Sequence, residues 1–189
     1  MLKQLPTLLL SVTIFSIAFT NQALAQDCPQ GSSKIPIKGR IFNNQLPTGQ
    51  TLGVAYLKLS HEARRLFDIL HILHGNRKRL ECGIMGNLTY SNPTDPLRID
   101  FEHTLSCQDH SELWLHTSGH LSPWKSCPNS QNPAFSFEEV STPITNASNK
   151  GLFADVTGGE IKVKGTINCK SEVDMKFKGY VCSSSRSRW

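Results

Sequence analysis

Apolar and polar side chains alternate with a period of two along most of this chain, which is the pattern of strands with one buried and one wet face. In the clearest run, one face carries Leu97, Ile99, Phe101, His103, Leu105 and Cys107. The alternation predicts about eight strands, over 35–42, 52–59, 80–90, 97–107, 112–121, 135–141, 161–169 and 173–181. Strands that are wet on one side favour an antiparallel sheet.

Glycines in the middle of these strands indicate how the sheet is arranged. Gly39, Gly86, Gly165 and Gly179 all lie on the otherwise apolar face. Glycine weakens a strand, so its repetition on one face is typical of a sheet that coils tightly enough to close. The sequence therefore predicts a mainly β protein, an antiparallel β-barrel of about eight strands, with a β-sandwich as second choice.

One segment, residues 60–74, breaks the strand pattern and predicts an amphipathic helix. Ser60 can cap its start and Gly75 stands at its end, while the intervening apolar residues recur at helical spacing. We expect a structural lid at the barrel mouth or outside it.

The first 25 residues have the composition of a secretory signal peptide. Lys3 precedes an apolar stretch that ends in the small-residue site Ala23 to Ala25. The stretch is too short to span a bilayer core of about 30 Å. We expect cleavage near Gln26, one domain over 26–182, a flexible tail over 183–189, and export to the periplasm or the extracellular space without stable membrane insertion.

All six cysteines follow the predicted cleavage site, and their even number is typical of disulfides in an exported protein. A zinc site is disfavoured because the chain has no C-x2-C pair. Six cysteines allow fifteen pairings, and the sequence alone does not choose between them. Their positions suggest Cys28 with Cys182, which bracket the domain, Cys107 with Cys127, which flank one predicted strand, and Cys82 with Cys169, which remain to join two strands.

Charge and standard motifs exclude several function classes. The formal charge of +5 falls to +4 without Lys3, and the basic residues are scattered apart from the triplet 77–79 and the tail, so nucleic-acid binding is not expected. The H-E-x-x-H motif fails because Arg65 stands where its second histidine would be, and P-loop, G-x-S-x-G and dinucleotide motifs are absent. No catalytic residue, metal or cofactor is expected. Asn87 and Asn146 begin glycosylation acceptor sequences, whose use depends on the host.

His103 is the most unusual candidate, because the alternation places it on the inward face between Phe101 and Leu105. It could act as a general base, a ligand contact or a metal ligand, but a neutral, hydrogen-bonded core histidine is the favoured interpretation. His116 and His120 share one face of a strand, yet residues four apart in a strand lie about 13 Å apart, so one ion cannot bridge them.

A short segment resembles a known family. The run GLFADVTGG over 151–159, followed by a strand containing Gly165, resembles the calycin-type barrels, in particular the allene oxide cyclase-like and dirigent-like ones, over roughly residues 151–181. The helix at 60–74 and the six cysteines depart from that pattern. The resemblance implies a barrel whose interior can hold a small apolar molecule, and no family active-site residue can be placed on this chain.

These observations favour an exported, non-catalytic barrel that binds a small, partly apolar molecule in its interior. The expected ligand contacts are Ile99, Phe101, His103, Met175 and Phe177. The alternatives are a structural or interaction protein of the cell envelope and an enzyme that uses His103.

Overall fold

The computed structural model describes residues 28–59, 79–92, 94–128, 133–145 and 147–184. Their strands are β1 (Ser33–Gln45), β2 (Thr51–Leu59), β3 (Leu80–Asn92), β4 (Asp95–Cys107), β5 (Glu112–Lys125), β6 (Ala134–Pro143), β7 (Val156–Ile167) and β8 (Glu172–Ser183). Each strand pairs antiparallel with the next, and β8 pairs with β1. The predicted closed antiparallel barrel is therefore confirmed.

Several strands extend beyond the bounds that the sequence pattern predicts. β5 continues to Lys125, whereas β7 ends at Ile167, so that Cys169 lies in the turn before β8. The predicted helix over 60–74, the predicted signal peptide and the end of the tail lie outside the described residues. Within the described part of the chain, no helix is long and apolar enough to cross a membrane.

The inward glycines make room for large side chains on the neighbouring strand. A Cβ on Gly39 would lie 2.4 Å from the ring of Phe177, its partner across β1 and β8. A Cβ on Gly165 would similarly lie 2.6 Å from the ring of Phe137, its partner on β6. At these two positions the glycine leaves room for an aromatic ring of the neighbouring strand, whereas at Gly179 it allows the close approach of the β7 backbone at Glu160 and Ile161.

The barrel has two different ends. At the hairpin end, β1 turns into β2, β3 into β4, β5 into β6 and β7 into β8. At the termini end lie the start of β1, the end of β8 and the connections β4–β5 and β6–β7. A short 3-10 helix, Gly151–Phe153, covers the termini end, where Phe153 is buried in the core and Ser111 Oγ accepts a hydrogen bond from the Leu152 amide at 2.9 Å.

Three disulfides link the barrel, and only the first predicted pair is correct. Cys28 bonds to Cys182, as the bracketing of the domain predicts. The other two bonds join Cys82 to Cys107 and Cys127 to Cys169, not Cys107 to Cys127 and Cys82 to Cys169. The prediction failed because it used proximity along the chain instead of strand register. Cys82 and Cys107 stand directly opposite each other on β3 and β4. The three bonds indicate an oxidising, exported environment.

Candidate functional site

The barrel interior contains a cavity of about 90 Å³ near the hairpin end, which we call the mouth cavity. Its lining residues are Asn43, Gln45, Thr51, Leu88, Ile99, Phe101, His103, Leu121, Phe137, Glu139, Ile167, Val173 and Met175. Leu88 is 42% exposed and Gln45 is exposed, so the rim of the cavity faces solvent. Most of the wall is apolar, and its polar side chains come from β1, β2, β4 and β6.

His103 lies at the inner end of the mouth cavity. Its Nδ1 is 3.0 Å from Thr117 Oγ1, which in turn is 2.8 Å from Ser141 Oγ, so the imidazole is held by a buried chain of hydroxyls. Its ring stacks on Phe101 with the centroids 5.4 Å apart. Burial lowers the pKa of His103 to about 4, because the charged imidazolium would lose its hydration. The side chain is therefore uncharged at neutral pH.

Gly86 determines how His103 fits into the wall. A Cβ on Gly86 would lie 2.5 Å from His103 Nε2 and 2.5 Å from Thr51 Oγ1. The absence of a side chain at this position therefore brings the imidazole and the Thr51 hydroxyl to the same part of the cavity. The barrel positions these two groups from different strands, β4 and β2.

Glu139 is a buried carboxylic acid on β6, two residues from the Ser141 hydroxyl that the chain from His103 reaches. It is 8% exposed, and its Cγ would lie 2.3 Å from a Cβ on Gly119, so this glycine provides the space for the glutamate. Burial raises the pKa of Glu139 to about 7. Below that pH the carboxyl carries a proton, and it can then both donate and accept a hydrogen bond.

Two further polar side chains at the cavity have unsatisfied hydrogen-bonding groups. Both amide atoms of Asn43 and the hydroxyl of Thr51 are buried, and they have no hydrogen-bond partner in the described structure. An unsatisfied buried group of this kind typically costs about 1–3 kcal/mol. Together with Glu139, these groups form a polar cluster in an otherwise apolar wall.

Below the mouth cavity the interior is packed. A second void of about 30 Å³ is lined mainly by aliphatic side chains and has room for about one or two water molecules. His103, Glu139 and Met175 border both spaces. The interior is therefore filled more completely below the mouth cavity than at the hairpin end.

Most residues that the sequence predicts as ligand contacts point into this interior. Ile99, Phe101, His103 and Met175 line the mouth cavity, whereas Phe177 borders only the smaller void below. His116 and His120 are exposed on the outer face, and His120 Nε2 is 3.7 Å from an Asp95 carboxyl oxygen. No cluster of three metal-ligating side chains occurs among the described residues.

Sequence reasoning missed most of the polar cluster. Glu139 alternates with the same period as Phe137 and Ser141 and so lies on the same face of β6. This signal would have placed it inside the barrel. Asn43 shares the face of Ile41 in the same way, but it lies beyond the strand end that the sequence predicts. Polar residues on the inward face break the alternation, and this weakens the pattern at the positions that form the site.

The chain was also compared with known proteins. Neither protein-family models, nor curated proteins, nor solved structures gave a match.

Proposed function

We propose that this chain is an exported, non-catalytic binding protein of calycin-like barrel form, and that its mouth cavity takes a small, mainly apolar molecule with a polar end. The proposed ligand inserts this polar end towards His103 and Glu139 and leaves its apolar part against the aliphatic wall at the rim. A cavity of about 90 Å³ is smaller than the 300 Å³ or more of most drug-sized sites. The proposed ligand is therefore small, or it enters with one end only.

The observation that carries this proposal is the unsatisfied polar atoms of Asn43 and Thr51 at the cavity wall. A ligand group that donates and accepts hydrogen bonds would satisfy them and would recover part of their burial cost. A carboxamide or a hydroxyl group has both capacities, and a protonated Glu139 offers a third partner. An ester or ether, which only accepts hydrogen bonds, would satisfy fewer of these atoms.

The low pKa of His103 and the hydrogen bond at its Nδ1 favour binding over catalysis. A pKa of about 4 makes His103 a weak base at neutral pH, and the Thr117 hydroxyl already occupies its Nδ1. The proposal consequently gives His103 a role in positioning the ligand.

Two probes of equal size test the proposal: hexanamide, which donates and accepts hydrogen bonds, and methyl pentanoate, which only accepts them. We expect ligand-observed NMR to show that hexanamide binds the oxidised protein more tightly, and that Asn43→Leu removes this preference while stabilising the fold. Asn44→Leu is the matched control, because Asn44 is the next residue and is exposed on the outer face. Equal binding of both probes, or equal effects of both variants, would contradict the proposal.

A further inference from the structure

Four lysines form a row across the outer surface of four neighbouring strands. Lys58 on β2 stands directly opposite Lys38 on β1. Lys38 in turn stands opposite Lys178 on β8, which stands opposite Lys162 on β7. All four side chains are exposed. Because neighbouring strands lie about 4.8 Å apart, this lysine row extends over roughly 14 Å.

The lysine row places like charges beside one another without neutralising them. Directly opposed like charges destabilise a sheet. Among the described residues, one carboxylate reaches the row, that of Glu160, at 3.5 Å from Lys162 Nζ. Lys38, Lys58 and Lys178 have no carboxylate within ion-pair distance in the described part of the chain.

The adjacent outward row shows the usual arrangement. There Arg40 forms a two-pronged ion pair with Asp174, and Lys164 Nζ contacts the carboxylate of Glu138. Lys176 stands between Arg40 and Lys164 in this row, so two of its three cations have a carboxylate beside them. In the lysine row one of four cations has such a partner, Lys162 with Glu160.

A surface groove of about 540 Å³ runs alongside the lysine row. Pro36, Gly179 and Tyr180 contribute to it, and Lys34 adds a fifth cation whose Nζ lies 3.8 Å from the centre of the Tyr180 ring. The site therefore combines a line of point charges with a shallow channel that an extended molecule can follow.

We propose that the lysine row and its groove form a binding site for a linear anionic polysaccharide. A line of cations at regular spacing matches a polysaccharide that carries one acidic group on every sugar or on every second sugar. Lysine contacts such groups as a flexible point charge. The three disulfides indicate a compartment outside the cytoplasm, which disfavours nucleic acid as the partner. Among the described residues that line the groove, Tyr180 is the one aromatic ring, so they do not form the set of rings on which bases would stack.

A membrane surface is the other source of anionic groups, but it fits the site less well. Proteins that bind an anionic bilayer combine basic residues with apolar side chains that enter the headgroup region. In the described part of the chain, the other residues that line the groove are Lys34, Pro36, Ile37, Glu160, Gly179 and Tyr180, and the one large aliphatic side chain among them, Ile37, is buried in the barrel core. The site is independent of the mouth cavity, since its residues point outward from the barrel.

The test measures the affinity of the oxidised protein for heparin and polygalacturonate, with neutral dextran, oligothymidylate and phosphatidylglycerol vesicles as comparison probes. We expect salt-dependent binding to the acidic polysaccharides and a roughly tenfold loss of affinity in the Lys38→Gln/Lys178→Gln variant, whose slope of log affinity against log salt falls by about two. The variant should remain folded with an equal or higher melting temperature, because it relieves repulsion.

The matched control is Lys125→Gln/Lys170→Gln, which removes the same charge from positions at the hairpin end. We expect this control to bind within about twofold of the wild type, because a localised site depends on position as well as on net charge. Equal losses in both double variants would overturn the proposal. So would an absence of polysaccharide binding, or tighter binding to oligothymidylate or to vesicles than to either polysaccharide.

Discussion

Glu139→Gln should stabilise the protein at alkaline pH and leave its stability nearly unchanged at acidic pH. The folded barrel keeps the proton on Glu139 up to pH 7 or so, whereas the unfolded chain releases it near pH 4.5. The stabilising contribution of this proton is therefore complete below pH 4.5 and is lost as the pH rises to about 7. Glutamine has the shape of the protonated acid and never ionises, so the variant avoids this loss.

The size of the effect follows from the shift in pKa. A change from 4.5 to about 7 corresponds to about 3 kcal/mol at pH values above 7, at 1.36 kcal/mol per unit. Glu139 is 8% exposed, so solvent screening reduces this value only slightly. The expected difference between variant and wild type thus grows from near zero at pH 4.5 to about 3 kcal/mol at pH 8.

His103 should show the opposite dependence. Its pKa falls from 6.5 to about 4 on folding, so its contribution is complete above pH 6.5 and is lost as the pH falls through 4. Between pH 4.5 and 6.5 the unfolded chain carries a proton on His103, and the folded protein carries one on Glu139. The two effects cancel in the wild type, and each single variant reveals the slope that the other residue contributes.

Urea unfolding at intervals from pH 4 to pH 8.5, on wild type, Glu139→Gln and His103→Phe, measures these slopes. Relative to wild type, the stability of the first variant should rise with pH and that of the second should fall. Glu138→Gln is the control, because Glu138 is exposed on the outer face of the same strand and its loss should have little effect at any pH. A constant difference between Glu139→Gln and wild type would refute the assignment of Glu139 as a buried acid.

Two further predictions concern the scaffold. Replacing both cysteines of the Cys28–Cys182 disulfide, which spans 154 residues, by serine should lower the free energy of unfolding by about 5 kcal/mol. The same change at the Cys82–Cys107 disulfide, which spans 25 residues, should lower it by about 3.5 kcal/mol. Urea unfolding measures both values, and equal losses would argue against the loop-entropy reasoning. Gly39→Ala should lower the free energy of unfolding by about 1–3 kcal/mol, because its Cβ would meet the carbonyl oxygen of Tyr56 and the ring of Phe177. Gly83→Ala, whose nearest new contact is 3.8 Å away, should cost nothing measurable in the same assay.

The sequence predicted the barrel because closure leaves a local signal. An inward glycine opposite a large side chain, such as Gly86 opposite His103, is visible as a gap in an apolar face. The disulfide pairing left no such signal. Cys82 and Cys107 meet because β3 and β4 pair in one particular register, and register depends on the whole sheet.

The candidate site was only partly predictable for a related reason. His103 was found because it interrupts a strong alternating run, in which a single polar residue is conspicuous. Glu139, Asn43 and Thr51 lie near strand ends or in weakly alternating segments, where an inward polar residue looks like the end of a strand. The groups that give the cavity its chemistry are therefore also the ones that blur the pattern used to find it.

The two ends of the barrel differ in how completely their interior is packed. At the termini end, the disulfides of Cys28 and Cys82 and the buried ring of Phe153 hold a packed interior with a void of only about 30 Å³. At the hairpin end, the single disulfide of Cys127 lies beside a larger cavity with unsatisfied polar atoms, including those of Asn43. Those atoms and the buried acid oppose folding, so the barrel tolerates them only because its other half contributes a surplus. A barrel selected for stability alone would fill the hairpin end with aliphatic side chains as well, and this asymmetry supports the proposal that the mouth cavity holds a ligand.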